Sequence, residues 1–273
     1  MTKPKKILVA YDGSPHSKAA LSWALLLGIN GKAELALIKV FEPKGPLPVA
    51  ITAQRVEQYT EMEKEDRQML EDVKSDCEES CNLKVHVDLL VGCVTSTLLD
   101  YADQKGFDLI IAGTRGHGVL DGMLVGSVTN SLVSLSKVPV LIVKELQAPA
   151  KLQKILVAYD GSESANAAMD LAVDIGKSAC AKLAVVEVNA ADATDREMME
   201  GAKSAAASKG IGISTELLSG TDIADTIIQY AWENDTDMIV SGTVGHGLFR
   251  ELLLGSVARK LISLSRIPVL VVK

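Results

Sequence analysis

Short apolar runs alternate along this chain with longer stretches whose apolar residues recur at helical spacing. The first run, Ile7–Tyr11, is continuously apolar and stops at Asp-Gly-Ser, which predicts a strand buried on both faces of a parallel sheet. Ser14 and Pro15 then supply a capping hydroxyl and a ring suited to the first helical position, and good helix formers continue to Gly31. The opening of the chain therefore predicts a strand followed by a helix.

The alternation continues to the last residue. Further strands are predicted in the first half at Leu35–Val40, Lys84–Leu90, Leu109–Ala112 and Val140–Val143, and in the second half at Ile155–Tyr159, Leu183–Val188, Ile213–Leu218, Met238–Ser241 and Val269–Val272. Helices are predicted over about Gln54–Cys81, Thr95–Lys105 and Ser127–Leu135. Strands that alternate with helices predict an α/β fold built on doubly wound parallel sheets.

The two halves are copies of one unit. Lys6–Ser14 recurs unchanged as Lys154–Ser162, and Gly113-Thr-Arg-Gly-His-Gly118 corresponds to Gly242-Thr-Val-Gly-His-Gly247. The offset is 148 residues at the first landmark and 129 at the second, so the second copy is shorter by 19 residues between them. Since every strand run recurs, we expect the missing piece to be a connection.

Two tandem five-stranded domains are therefore predicted, at residues 1–146 and 152–273. The linker is Glu145–Leu152, where Pro149 and small residues interrupt the pattern. Val138–Lys144 and Ile267–Lys273 are predicted to be exposed sheet edges, and exposed edges tend to pair. We expect the domains to dock through these strands as an internal pseudo-dimer, or else each edge to be covered by its own helices.

Composition excludes several classes of protein. The 273 residues are 48% apolar and 23% charged, which is typical of globular domains. The net charge of −7 argues against a nucleic-acid or anionic-membrane surface. Four cysteines make no disulfide framework, and no run is long enough for a signal peptide or a membrane span. These features predict a cytoplasmic protein.

The glycine clusters carry the strongest chemical signal. Gly113 and Gly116 are followed after nine residues by Gly126-Ser127, and Gly242, Gly245 and Gly255-Ser256 keep the same spacing. Glycine lets the backbone approach an anion, and a helix that opens at the serine adds N–H donors and the positive end of its dipole. One such cluster would favour simple tight turns. Its duplication with the serine intact favours a phosphate cradle.

With this motif in both copies, the chain resembles the universal stress protein family in its tandem two-domain form. The resemblance covers nearly all of both repeats, and the Gly-x2-Gly-x9-Gly-Ser motif is the one that the ATP-binding members carry. It implies flavodoxin-type, Rossmann-like sheets of strand order 3-2-1-4-5 that pair through the fifth strand. It also implies ATP bound between the ends of strands one and four.

The resemblance assigns site residues in each repeat. Those of the first repeat are Ala10, Tyr11, Asp12, Val40, Gly113, Arg115, Gly116, His117, Gly126, Ser127, Val128 and Thr129. Those of the second are Asp160, Val188, Gly242, Gly245, His246, Gly255, Ser256 and Val257. Val244 replaces Arg115 and Ala258 replaces Thr129 in the second repeat, so we expect the first site to bind more tightly.

Several of these residues keep a second interpretation. Asp12 and Asp160 are either nucleotide ligands or turn caps, because Asp before Gly is a common turn signal. His117 and His246 either donate to a phosphate or only occupy a glycine-rich loop, and Arg115 is a phosphate ligand or a solvated charge.

Two further features lie outside the assigned sites. Cys77 and Cys81 share a helix face near His86 but lack the spacing of a four-ligand metal site. The charged stretch Glu57–Glu79 is a solvated helix face, a partner surface or a flap over the nucleotide.

No catalytic residue is predicted, because the chain lacks the loops of P-loop proteins, kinases and acyl hydrolases. The leading hypothesis is an ATP-binding regulatory or stress-response protein whose occupancy is read by a protein partner. The alternatives are a slow ATPase or adenylyl-transferring enzyme, and a nucleotide-free scaffold. The expected ligand is ATP, with ADP, AMP and cyclic AMP left open, and Mg²⁺ is expected to accompany it. A homodimer of whole chains also stays open.

Overall fold

The computed structural model describes residues 3–42, 53–81, 83–114, 125–144, 148–189, 193–243 and 254–273. The first repeat contains β1 (Lys6–Ala10), α1 (Pro15–Gly31), β2 (Glu34–Phe41), α2 (Ala53–Cys81), β3 (Val85–Val91), α3 (Val94–Lys105), β4 (Leu109–Gly113), α4 (Ser127–Leu135) and β5 (Val140–Val143). The second contains β6 (Lys154–Ala158), α5 (Glu163–Ala179), β7 (Lys182–Val188), α6 (Ala193–Ser208), β8 (Ile213–Leu218), α7 (Ile223–Glu233), β9 (Met238–Gly242), α8 (Ser256–Leu264) and β10 (Val269–Val272).

All ten strands form one sheet in the order β3-β2-β1-β4-β5-β10-β9-β6-β7-β8. Each half has the predicted order 3-2-1-4-5, and its internal pairings are parallel. The strand order reverses between β1 and β4, and again between β6 and β9. A crevice opens at such a reversal, beside the carboxyl ends of the strands.

The two halves join through their fifth strands. β5 and β10 pair antiparallel, with Leu141 opposite Leu270 at the centre of the register. Both strands are fully buried, so neither is an exposed edge in the folded chain. The prediction of an internal pseudo-dimer is confirmed, and an approximate two-fold axis passes between these strands.

Helices cover both faces of the sheet. The buried residues of α1, α2, α5 and α6 form one cluster with one face of the strands, and those of α3, α4, α7 and α8 form a second cluster on the other face. Strands covered on both sides are continuously apolar, which is why their runs could be read from the sequence.

The helices that follow the first strand of each repeat begin alike. Ser14 is the N-cap of α1 and its hydroxyl accepts from the Ser17 N–H at 3.2 Å, as predicted. Ser162 caps α5 through the Ala165 N–H at the same distance. These caps end the loop that follows the strand and place its residues at the carboxyl edge of the sheet.

The difference in length between the repeats lies in a connection, as expected. Both repeats keep five strands, but α2 has 29 residues and α6 has 16. Leu70 and Cys77 of α2 are buried against the core, so the second half of this long helix belongs to the layer that covers the sheet. No helix in the described part of the chain is both long and apolar enough to cross a membrane.

Candidate functional site

The aspartates after the first strand of each repeat hold the turn in place. An Asp12 carboxylate oxygen accepts from the Ser14 N–H at 3.0 Å, and Asp160 accepts from the Ser162 N–H at the same distance. The turn-capping role is therefore present in the structure. It does not consume the carboxylate, because each oxygen has more than one lone pair and Asp160 also borders a cavity.

The third glycine of each motif is the N-cap of a short helix. The Gly126 N–H donates to the Thr114 carbonyl at 2.9 Å, and the Gly255 N–H donates to the Thr243 carbonyl at 2.6 Å. Helices α4 and α8 begin at the next residue, where Ser127 and Ser256 are exposed. The first N–H groups of a helix have no partner within it, so both helices present donors and a positive dipole end at the carboxyl edge.

The first glycine has a packing role that the sequence did not reveal. A Cβ at Gly113 would lie 2.7 Å from the carbonyl carbon of His16, and one at Gly242 would lie 2.8 Å from that of Ser164. Glycine is needed here because the end of the fourth strand touches the first turn of the helix that follows the first strand. This contact brings the aspartate loop and the glycine loop together.

A hydroxyl bonds the carbonyl of that glycine in both repeats, but it comes from different elements. Thr129 in α4 donates to the Gly113 carbonyl at 2.9 Å. In the second repeat Ala258 replaces Thr129, and Ser241 in β9 donates to the Gly242 carbonyl at 3.0 Å instead. Helix α4 is thus tied to its strand by a side chain, while the corresponding bond in the second repeat stays within the strand.

These parts enclose a cavity of about 320 Å³ at the carboxyl edge of the second repeat. The predicted residues that line it are Asp160, Val188, Gly242, Gly255, Ser256 and Val257. The residues that complete the described lining are Ala158, Tyr159, Ser162, Ser164, Ala165, Val186, Glu187, Ile223, Ile227, Ser241, Thr243 and Ala258. The described wall is therefore partly apolar and partly built from hydroxyls and carboxylates.

Among the lining residues that the sequence analysis did not assign to the site, three lie on the end of β7 and the start of α7. Glu187 lies at the end of β7 beside Val188, and Ile223 and Ile227 lie one turn apart at the start of α7. A usable signal exists for the isoleucines, because apolar residues at i and i+4 at the beginning of a helix after a strand face the same edge of the sheet.

Three described residues of the first predicted site are placed like their counterparts in the second repeat. Ala10, Val40 and Val128 are partly buried and pack against the cluster that includes α3 and α4, as Ala158, Val188 and Val257 do with α7 and α8 in the second repeat. Tyr11 is buried in the opposite cluster, where loss of solvent raises the pKa of its hydroxyl.

The tyrosine of the second repeat is placed in the same way. The Tyr159 hydroxyl donates to Asn166 at 2.6 Å. Burial raises its pKa, with smaller contributions from the charges of Asp160 and Glu187. This tyrosine therefore stays protonated and serves as a fixed wall of the cavity.

Five predicted residues lie outside the described residues: Arg115, Gly116, His117, Gly245 and His246. In the part of the chain that the structure describes, no group of three or more His, Cys, Asp or Glu side chains converges to hold a metal ion. Cys77 is buried, and burial together with the nearby Cys81 raises the pKa of its thiol to about 11. Such a thiol stays protonated, which is typical of a packing residue.

Comparison with known proteins gives one family match for each repeat. The model of the universal stress protein family matches residues 3–144 and matches residues 151–273 a second time. The chain belongs to the universal stress protein family. The family assignment thus covers both glycine motifs and both aspartate loops described above.

Several universal stress proteins are similar over the full length or over one repeat. A protein from Mycolicibacterium smegmatis is 26% identical over 98% of this chain and 96% of its own length. One from Bacillus subtilis is 33% identical over 51% of this chain and 98% of its own length, which corresponds to one repeat. The crystal structure of one from Archaeoglobus fulgidus covers 98% of both chains with a TM-score of 0.82 at 24% identity, which shows a shared fold.

Proposed function

We propose that this universal stress protein is a regulatory protein that binds ATP at the carboxyl edge of each repeat. The observation that carries the proposal is the cavity of about 320 Å³ whose wall combines Asp160, the glycine N-cap Gly255 and the first turn of α8. A helix N-terminus with glycine at its cap suits a phosphate. An apolar wall beside a carboxylate suits a base and the hydroxyls of a ribose.

Within this proposal each part of the site has a role. The N–H groups that open α4 and α8 would hold the phosphates, and the exposed hydroxyls of Ser127 and Ser256 would be the described ligands that this edge offers to a Mg²⁺ ion bound with them. Asp12 and Asp160 accept from the ribose, and Val40 and Val188 contact the adenine. Mg²⁺ would neutralise phosphate charge.

The residues that line the cavity favour binding of ATP without rapid hydrolysis. Phosphoryl transfer needs a cation that stabilises the transition state and a base that orients the attacking group. The described residues that line the cavity of the second repeat include no Lys, Arg or His. Slow hydrolysis is the second candidate, because the sequence carries Arg115 and Arg250 in residues 115–124 and 244–253, which lie outside the described residues.

ATP would act by favouring one conformation over another. A ligand shifts such an equilibrium only by its difference in affinity for the two states. A protein partner that contacts the carboxyl edge in one of these states would then read the occupancy of the site.

The test combines mass spectrometry of nucleotide released from purified, denatured protein with calorimetric titration of ATP, ADP, AMP and cyclic AMP. Ser127→Glu and Ser256→Glu disable one site each, because a carboxylate at the first helical position repels phosphate while it favours the helix dipole and so preserves the fold. Ser127→Gln and Ser256→Gln are matched uncharged controls. They separate the effect of charge from that of size.

We expect ATP binding to fall at least about tenfold at the site that receives the glutamate, with smaller losses for glutamine. We also expect no phosphate release on the time scale of minutes. Steady release of phosphate that is abolished when Ser127→Glu and Ser256→Glu are combined would support an ATP-hydrolysing enzyme. Absence of both co-purified nucleotide and binding heat at millimolar ATP would overturn the proposal and support a scaffold.

A further inference from the structure

The lysine that follows the fifth strand of each repeat reaches into the other repeat. The Lys273 ammonium donates to the Ser134 carbonyl of α4 at 2.8 Å, and the Lys144 ammonium donates to the Ser263 carbonyl of α8. The two lysines are 129 residues apart, and so are the two serines, which is also the offset between the glycine motifs. The two bonds are therefore one contact made twice across the approximate two-fold axis.

These carbonyls lie in the last turn of their helices, where the helix supplies no N–H partner. The Val138 N–H, which could have reached the Ser134 carbonyl, instead donates to the Ser136 hydroxyl at 3.1 Å. A lysine ammonium is a favourable partner here because the C-terminal end of a helix is negative. The contact joins the two repeats, and Lys273 is half-buried there, so loss of solvent lowers the pKa of its amine.

The opposite ends of the same helices form the proposed phosphate cradles. Helix α4 has nine residues, so Gly126 at its cap and Ser134 near its end are about 12 Å apart. A rigid element this short cannot change direction at one end without moving the other. Its C-terminal anchor therefore helps to set where its first N–H groups point.

Backbone bonds link each lysine to its own site as well. The Thr114 N–H donates to the Val143 carbonyl at 3.0 Å, directly before Lys144, and the Thr114 carbonyl accepts from Gly126. The second repeat repeats this arrangement, because the Thr243 N–H donates to the Val272 carbonyl at 2.9 Å, directly before Lys273. A short series of bonds thus runs from each cradle to the far end of the other cradle helix.

We propose that Lys273 and Lys144 are positioning residues for the nucleotide site of the opposite repeat. Lys273 fixes α4 and thereby the first site, and Lys144 fixes α8 and thereby the second site. The inference rests on the proposed function for its ligand, but the contact itself can be tested without nucleotide. Its distinguishing consequence is that each lysine affects the site that its own repeat does not contain.

The first experiment measures ATP binding by calorimetry with one site disabled. In the Ser256→Glu background only the first site is intact, and we expect Lys273→Met to weaken binding there about fivefold or more. In the Ser127→Glu background only the second site is intact, and the same substitution should change binding less than about twofold. Lys144→Met should give the reverse pattern. Equal losses at both sites, or a loss only in the lysine's own repeat, would overturn the proposal.

Two further variants separate positioning from charge and from general stability. Lys137→Met removes a positive charge near the same end of α4, where the ammonium pairs with Asp103 on the surface, and we expect it to leave the first site unchanged. Lys273→Arg keeps a donor within reach and should restore much of the affinity. An equal loss in Lys137→Met would attribute the effect to net charge and overturn the positioning role.

Amide hydrogen exchange on the nucleotide-free protein tests the contact independently. We expect Lys273→Met to speed exchange in residues 127–135 but not in 256–264, and Lys144→Met to do the opposite. If wild-type protein binds no nucleotide, the proposed function fails while this crossed pattern still reveals the anchor. Exchange that speeds equally in both helices would overturn the anchor whatever the binding data show.

Discussion

The two repeats share a backbone arrangement but differ in the side chains that stand on it. Both place an aspartate, a glycine contact and a glycine-capped helix at the carboxyl edge. At the end of the second strand, however, the first repeat has Lys39, which pairs with Asp66 of α2 at 2.5 Å. The second repeat has Glu187 there, which borders the cavity. Under the proposed function, the shared backbone would fix the kind of ligand, while the differing side chains would set the affinity of each site for the charged phosphates.

The largest effect on the shared backbone arrangement is expected from placing a side chain at the first glycine of each motif. Gly113→Val and Gly242→Val would push a side chain into the first turn of α1 and α5, respectively, and we expect each to cost about 2–3 kcal/mol in the free energy of unfolding. Denaturant unfolding followed by circular dichroism measures it. Gly201→Ala is the control, because a Cβ there meets open space within α6, and it should raise stability by up to about 1 kcal/mol. Valine variants as stable as wild type would contradict the packing role.

Cys77 sharpens the comparison between the long α2 and the short α6. Its thiol is buried and its pKa is raised to about 11, so we expect iodoacetamide at pH 8 to modify it about 100-fold more slowly than the exposed Cys93 and Cys180. Because the folded-state pKa lies above the ordinary value of 9.0, burial of the neutral thiol stabilises the fold below pH 9, and this contribution is lost as the pH rises towards 11.

Peptide mass spectrometry at timed intervals measures the modification, with and without ATP. If α2 were a flap that lifts from the sheet, Cys77 would react quickly in the nucleotide-free protein and slowly with ATP bound. We expect the same slow rate in both, since α2 packs on the core through Leu70 and Cys77.

The hydroxyl that bonds the glycine carbonyl comes from α4 in the first repeat and from β9 in the second, and we expect its removal to have a smaller effect on stability. Thr129→Ala removes the bond from α4 to the Gly113 carbonyl and should cost about 1 kcal/mol of stability, with about fivefold weaker ATP binding at the first site. Ser241→Ala removes the corresponding bond within β9 and should cost a similar stability but leave the second site nearly unchanged. Calorimetry in the single-site backgrounds decides it. Equal losses of affinity at both sites would show that the origin of the hydroxyl does not matter.

The sequence predicted the elements well because each depends on neighbouring residues. The strand β5 and the helix α4 were predicted at their observed bounds, since apolar runs and glycine caps are local signals. The pairing of β5 with β10 followed from the resemblance and from the two terminal apolar strands. The sequence could not show that Gly113 is required by His16 or that Lys273 reaches Ser134, because both contacts join elements that are distant along the chain. It also could not show that the Ser241 hydroxyl takes the place of Thr129, because a serine hydroxyl in a strand has several neighbouring backbone groups to bond and the sequence does not say which one it meets.

The smallest expected effect concerns the charge near the end of β7 and its influence on ATP affinity at the second site. Glu187→Gln removes a negative charge from the wall of the second cavity, and we expect ATP to bind there about twofold to threefold more tightly, because a partly solvated charge acts on the phosphates only weakly. Glu216→Gln on the neighbouring strand β8 is the matched control, since Glu216 is exposed, does not line the cavity and gives the same change in net charge. Calorimetry at low and high salt in the Ser127→Glu background measures both. If the two variants tightened binding equally, the effect would belong to the net charge of the protein, and the contrast between Lys39 and Glu187 would not explain any difference in affinity between the sites.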